Sequence, residues 1–86
     1  MPPCVKEQID ASEPIGEIEL VSVARYQFQD ETVYVFNYEG GADFQTPIID
    51  EDCNSICALG GIAGISECRG EDFSSNATLE EVVWEK

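Results

Sequence analysis

The sequence predicts a small α+β domain that is mostly β, with a short N-terminal helix packed on an antiparallel sheet of four or five strands and stapled by disulfides. Three observations support this fold class. β-Forming residues alternate through residues 17–28 and 32–38, as is typical of strands. The chain has 86 residues, so we expect a single domain over residues 1–86. A chain of this size buries only roughly 60–65% of its unfolded surface, and its four cysteines would supplement that small core.

The first elements are a helix and a strand. Residues 5–11 predict a short helix, since two prolines precede them and the residue before Pro14 is disfavoured in the helical region. Residues 17–28 predict a strand whose apolar pattern changes phase near Leu20 and Val21, so we expect a β-bulge there.

The strongest strand signal follows at residues 32–38. Residues 29–31 separate it from the preceding strand, so the two form a predicted hairpin. Tyr34, Phe36 and Tyr38 are expected on one face of this strand, and Val33 and Val35 on the other.

The second half of the chain is more irregular. Residues 44–49 and 55–59 predict a third and a fourth strand, and glycines 60 and 61 open a loop with backbone positions free to adopt positive φ. Residues 79–84 favour a last strand with Val82 and Trp84 on one face. The alternative is a short helix capped by Asn76 and running to Glu80 or Glu81.

The cysteines indicate the compartment. With no histidine and an even number of cysteines at positions 4, 53, 57 and 68, disulfides in an exported protein are favoured over a zinc site or reduced core thiols. Four cysteines allow three connectivities. We favour pairing of Cys4 with Cys57 or Cys68, which would tie down the N-terminus, and we note that Cys57 and Cys68 also flank the glycine-rich loop. We therefore expect a secreted, periplasmic or cell-surface protein.

Charge narrows the classes of partner. Eighteen acidic residues against four basic ones give a formal net charge of −14. So few cations could neutralise few phosphates, so we expect no nucleic-acid binding. No apolar run could span a bilayer, so we expect no membrane insertion. A protein or other ligand that is cationic is compatible with this charge, although an acidic surface also simply keeps a domain in solution.

A pattern of short motifs runs through residues 4–84. It comprises Arg25-Tyr26, residues 33–36, Asp43-Phe44, the run from Asp50 to Gly64, Cys68 and Asp72-Phe73. With this pattern the chain resembles an uncharacterised family of small secreted bacterial domains of the Cys-x-Pro-x-Gly-Gly type, with Leu59 where that family has proline. The resemblance implies a secreted, disulfide-bonded fold and carries no established activity.

The acidic turn is a candidate cation site. Asp50, Asp52 and Asn54 stand at the first, third and fifth places of a calcium-loop pattern. Ser55 replaces the glycine required at the sixth place and Gly61 the glutamate at the twelfth, so an EF-hand is rejected. A looser Ca²⁺ site is left as an alternative to an ordinary turn rich in Asp and Asn.

No catalytic constellation is recognisable. Without histidine there is no Ser-His or Cys-His activation, so we expect no enzyme, and no other cofactor is indicated. The favoured function is a binding module whose contact surface is a loop together with exposed aromatics among Tyr26, Tyr34, Tyr38 and Trp84. The alternative is a protease inhibitor that presents residues 59–67, although the glycines argue against preorganisation. The loop consists of Leu59, Gly60, Gly61, Ile62, Ala63, Gly64 and Ile65.

Overall fold

The fold is a five-stranded antiparallel sheet, and a short segment of the chain packs on each of its two faces. The computed structural model describes residues 1–13, 16–40, 45–60 and 64–86. The sheet order is β4-β3-β2-β1-β7, and β5 and β6 form a separate two-stranded sheet. The predicted fold class is therefore confirmed. The elements are α1 (Pro3–Ala11), β1 (Glu19–Phe28), β2 (Glu31–Glu39), β3 (Gln45–Asp50), β4 (Ser55–Gly60), β5 (Glu67–Cys68), β6 (Glu71–Asp72), α2 (Phe73–Asn76) and β7 (Thr78–Glu85).

The β1–β2 hairpin forms as predicted. Gln29 and Asp30 connect the strands with φ of 52° and 62°, the left-handed pair of a type I′ turn that matches strand twist. The register shifts between Leu20 and Ser22, which confirms the expected bulge. Because of this shift, Leu20 and Val23 belong to the core on the same face of the sheet although they are three residues apart.

We call the side of the sheet that α1 covers the helix face. The side covered by the β5–β6 hairpin and α2 is the hairpin face. On the helix face, Val5 and Ile9 of α1 pack on strand residues. On the hairpin face, Cys68 and Phe73 from the β5–β6–α2 segment pack on the strands. The strand residues of the helix-face core are Leu20, Val23, Tyr34, Phe36 and Ile49, and those of the hairpin-face core are Phe28, Val33, Val35 and Ile48.

The disulfides join each cover to the sheet, but not in the pairing we favoured. Cys4 bonds to Cys53, and Cys57 bonds to Cys68, so the expected pairing of Cys4 with Cys57 or Cys68 is wrong. The reason is the segregation of the two faces. Cys53 packs against the helix-face core, within reach of α1, whereas Cys57 and Cys68 belong to the hairpin-face core. All four cysteines are bonded, which leaves none as a zinc ligand.

The sequence did not predict the β5–β6–α2 segment that covers the hairpin face, because its elements are very short. A turn at Arg69-Gly70 links β5 to β6, and Asp72 caps α2 by accepting a hydrogen bond from the Ser75 backbone N–H at 2.9 Å. The ring of Phe73 lies 5.3 Å from that of Tyr26 and 5.0 Å from that of Phe28. Three rings in contact anchor this small segment.

The C-terminal strand also differs in detail from expectation. A strand forms and the alternative helix through Glu80 or Glu81 does not, because α2 ends at Asn76. Val82 pairs with Ala24, whereas Trp84 pairs with Val23, the residue that precedes Ala24 in β1. Register shifts interrupt the pairing of β7 with β1. Val82 and Trp84 therefore lie on opposite faces, and the expectation that they share one is wrong.

Gly40 ends β2 at a position that only glycine can occupy. Its φ is 97°, and a Cβ atom there would overlap the backbone carbonyl of Glu17. Gly16 also has a positive φ, of 62°, but a Cβ there would meet open space.

Candidate functional site

The predicted binding loop is closed at its base. The Gly60 N–H donates to the Ile65 carbonyl at 2.7 Å, and the Ile65 N–H donates to the Gly60 carbonyl at 3.2 Å. One step further out, the Cys57–Cys68 disulfide joins the same two chain segments. Both ends of the loop are thus held together, and the loop's own Gly61, Ile62 and Ala63 lie outside the described residues.

The described ends of the loop differ in exposure. Leu59 is half-buried and packs against the hairpin-face core. Ile65 is 41% exposed, and its neighbour Gly64 is also exposed. Of the predicted loop residues that the structure describes, Ile65 therefore offers the largest apolar contact to a partner, and Leu59 is chiefly structural.

The acidic turn between β3 and β4 is stabilised by Asp50. Its Oδ1 accepts hydrogen bonds from the backbone N–H groups of Asp52 and Asn54, both at 2.9 Å, and its Oδ2 accepts from the Asn54 side-chain amide at 3.2 Å. These bonds, led by the one from the Asn54 backbone, lower the pKa of Asp50. The Asp50 carboxylate thus has local donors, as in an ordinary turn.

Calcium binding by Asp50, Asp52 and Asn54 stays a prediction. In the described part of the chain, no three histidine, cysteine or acidic residues are grouped so as to hold a metal ion. A cation bound by Asp50 would compete with the three N–H groups that already occupy its oxygens.

The aromatic residues that were predicted to contact a partner mainly form the core. Tyr34 is buried, and burial raises the pKa of its hydroxyl. Tyr26 packs on Phe73, while Tyr38 and Trp84 are half-buried against the helix-face core. These rings hold the covers on the sheet, and little of them is left for a partner.

Besides two larger clefts, of about 740 Å³ beside Gln29 and of about 420 Å³ beside Tyr38, a small cleft opens beside Trp84, between the end of α1 and the β1 and β7 strands. Its volume of about 210 Å³ is below the range typical of ligand pockets. The Lys86 ammonium lies 2.7 Å from the Glu19 carboxylate at this cleft, so its charges are already paired.

Other shifted pKa values belong to structural contacts. The pKa of Arg25 is raised chiefly by its hydrogen bond to Glu80, and the pKa of Glu80 is lowered, first by Gln27 and then by Arg25. The pKa of Asp72 is lowered by Ser75, which it caps. Each shift favours the charged form in a surface contact, and none identifies an acid or base for chemistry. The absence of enzymatic activity stays a prediction.

The sequence did not predict that two apolar residues of β7 are exposed. Leu79 is 54% exposed and Val82 is 49% exposed. No signal in the sequence marks them as exposed, because apolar residues in a strand are ordinarily core.

Comparison with known proteins places the chain in a family without giving it an activity. Residues 8–86 match the family model described as a domain of unknown function, DUF6970. Comparison with curated proteins and with solved structures finds no match. In the described residues, no helix has the length and apolar character needed to cross a membrane. Since the family model covers nearly the whole chain, the protein belongs to the DUF6970 family of domains.

Proposed function

We propose that this protein is a non-enzymatic binding domain that recognises a protein partner through the loop of residues 59–65. The observation that supports this is the double closure of the loop by the Gly60–Ile65 hydrogen bonds and the Cys57–Cys68 disulfide. Holding both ends of a loop lowers the conformational entropy that it loses on binding, and so favours affinity. The closed base offsets the freedom that glycines give to the loop.

The loop also has suitable surface chemistry. Ile65 supplies an exposed apolar side chain, and Glu67, two residues further along the chain, is exposed and acidic. Together with the net charge of −14, this arrangement favours a partner whose contact surface is cationic around an apolar pocket.

We place the protein outside the cytoplasm, as a secreted, periplasmic or cell-surface domain. Two disulfides in a domain of this size are consistent with an extracellular location, because such bonds persist in oxidising compartments. The resemblance to small secreted bacterial domains points the same way and stays a prediction.

The test is to capture partners from the secreted and cell-envelope proteins of the producing organism, and then to measure the affinity of the purified partner. Ile65→Ser removes the exposed apolar contact of the loop, and Ala11→Ser, at an exposed position of α1, is the control. We expect Ile65→Ser to weaken binding about tenfold or more, with Ala11→Ser close to wild type. Wild-type affinity in Ile65→Ser would contradict the assignment of the loop.

A second candidate, protease inhibition by residues 59–67, is favoured by the same double closure. A loop fixed at both ends by a disulfide can occupy an active site and resist release after cleavage. A panel of extracellular proteases tests this: we expect loss of protease activity with the chain intact. Binding without loss of protease activity, or rapid cleavage and dissociation, would count against inhibition.

A further inference from the structure

The two outer strands of the five-stranded sheet differ in how they are covered. The β4 edge is joined to the segment that follows it, through the Gly60–Ile65 hydrogen bonds and the Cys57–Cys68 disulfide. On β7, one edge pairs with β1, and no strand of the described chain pairs with the other edge. An open edge is a ready site for strand addition.

The register of β7 places two apolar side chains of this strand on the same face of the sheet. Leu79 pairs with Tyr26 and Val82 with Ala24, two positions of β1 that point to the hairpin face. In a regular strand, residues three apart would point to opposite faces, but the register shift between Arg25 and Tyr26 brings these two to the same face. Both are about half exposed, at 54% and 49%.

Charge indicates what covers this surface. In β7, Glu80 is held by Arg25 at 3.1 Å, whereas Glu81 and Glu85 form no ion pair within the described residues. The whole chain carries −14. A second copy of the chain would be repelled, and a cationic segment would be attracted, so charge complementarity selects the occupant.

We propose that the outer edge of β7 binds an extended, basic segment of a partner protein by strand addition. Alternate apolar side chains of that segment cover Leu79 and Val82, and the intervening Lys or Arg side chains approach Glu81, whose pairing with Arg25 places it on the opposite face of the strand. This surface is separate from the loop of residues 59–65 and does not depend on the function proposed for it.

The test uses a short fluorescent peptide of alternating lysine and valine, with an alternating lysine–serine peptide of equal charge as its control. Affinities are measured at physiological ionic strength, where exposed charges are screened. We expect the valine peptide to bind about tenfold or more tightly than the serine peptide. We expect L79T/V82T, which preserves strand propensity, to abolish this difference. The control variant Gln45→Thr, at an exposed position of β3, should retain it.

Backbone amide exchange and NMR shifts locate the bound peptide. We expect perturbation confined to β7 and its neighbours, with slower exchange of outward-facing β7 amides. Equal affinity for the two peptides would show attraction by net charge alone and would overturn the proposal. Perturbation centred on another element would also overturn it, as would a chain that self-associates through β7 in the absence of peptide.

Discussion

Removing the Cys4–Cys53 disulfide by C4A/C53A should lower the free energy of unfolding by about 4 kcal/mol at 25 °C. The two cysteines are separated by 49 residues along the chain. The chain-entropy relation gives about 4 kcal/mol for a loop of that length and about 3 kcal/mol for the 11-residue separation of Cys57 and Cys68. Small domains have only about 5–15 kcal/mol of stability in total, so either loss should be large.

Urea unfolding, followed by the fluorescence of Trp84, measures the loss. This is the single tryptophan of the chain, and it packs on the helix face beside α1. If the stabilisation arises in the unfolded state, C4A/C53A should also raise the denaturant m-value, because the unlinked chain exposes more surface.

The variant C57A/C68A serves as the matched control. It should leave the Cys4 tether intact, so accelerated amide exchange confined to α1 is expected for C4A/C53A alone. A loss below about 1 kcal/mol in both variants, or an unfolding midpoint unchanged by reducing agent, would refute the idea that cross-links compensate for a small core.

Three further predictions address the turns. Gly40→Ala should lower the free energy of unfolding by about 3 kcal/mol or more, because the added Cβ would overlap the backbone. Gly16→Ala, where only the φ is unfavourable, should lower it by about 1 kcal/mol. Equal losses of the two variants in urea unfolding would contradict this. The pKa of Asp50 is lowered in the folded state. The difference in unfolding free energy between wild type and Asp50→Ala should therefore be complete above about pH 4, and it should vanish as the pH falls through the pKa of Asp50 in the folded state. A difference that stays constant with pH would contradict this prediction. If Asp50, Asp52 and Asn54 bind Ca²⁺, thermal melts at 100 times the Kd should show about 2.7 kcal/mol of added stability, and melts identical with and without Ca²⁺ would remove that site.

The central hairpin could be predicted in detail because its signals are local. Alternation fixes the faces of β2, and the change of phase near Leu20 reveals the bulge without knowledge of the fold. The helix likewise follows from prolines and from the i, i+4 spacing of Val5 and Ile9. These elements were confirmed because each depends on residues close together in the chain.

The disulfide pairing could not be predicted because it depends on which face each cysteine reaches. Cys53 lies in a turn with φ of 66°, and that turn directs it to the helix-face core. Cys57, only four positions later, belongs to the hairpin-face core after the chain has entered β4. The choice between partners for Cys4 is therefore a tertiary property, although the spacing did show that Cys57 and Cys68 flank the loop.

The same limit explains why the β7 surface could not be predicted from the sequence. A regular alternation predicts that Val82 and Trp84 share a face, and on that basis Val82 would be part of the core. The register shifts break the alternation: Trp84 goes to the helix face, and Val82 joins Leu79 on the opposite side. The charge of an acidic edge strand ordinarily protects that strand from pairing with other chains. Here the carboxylates flank two exposed apolar side chains, so the same charge that repels a second copy selects a basic segment as the partner.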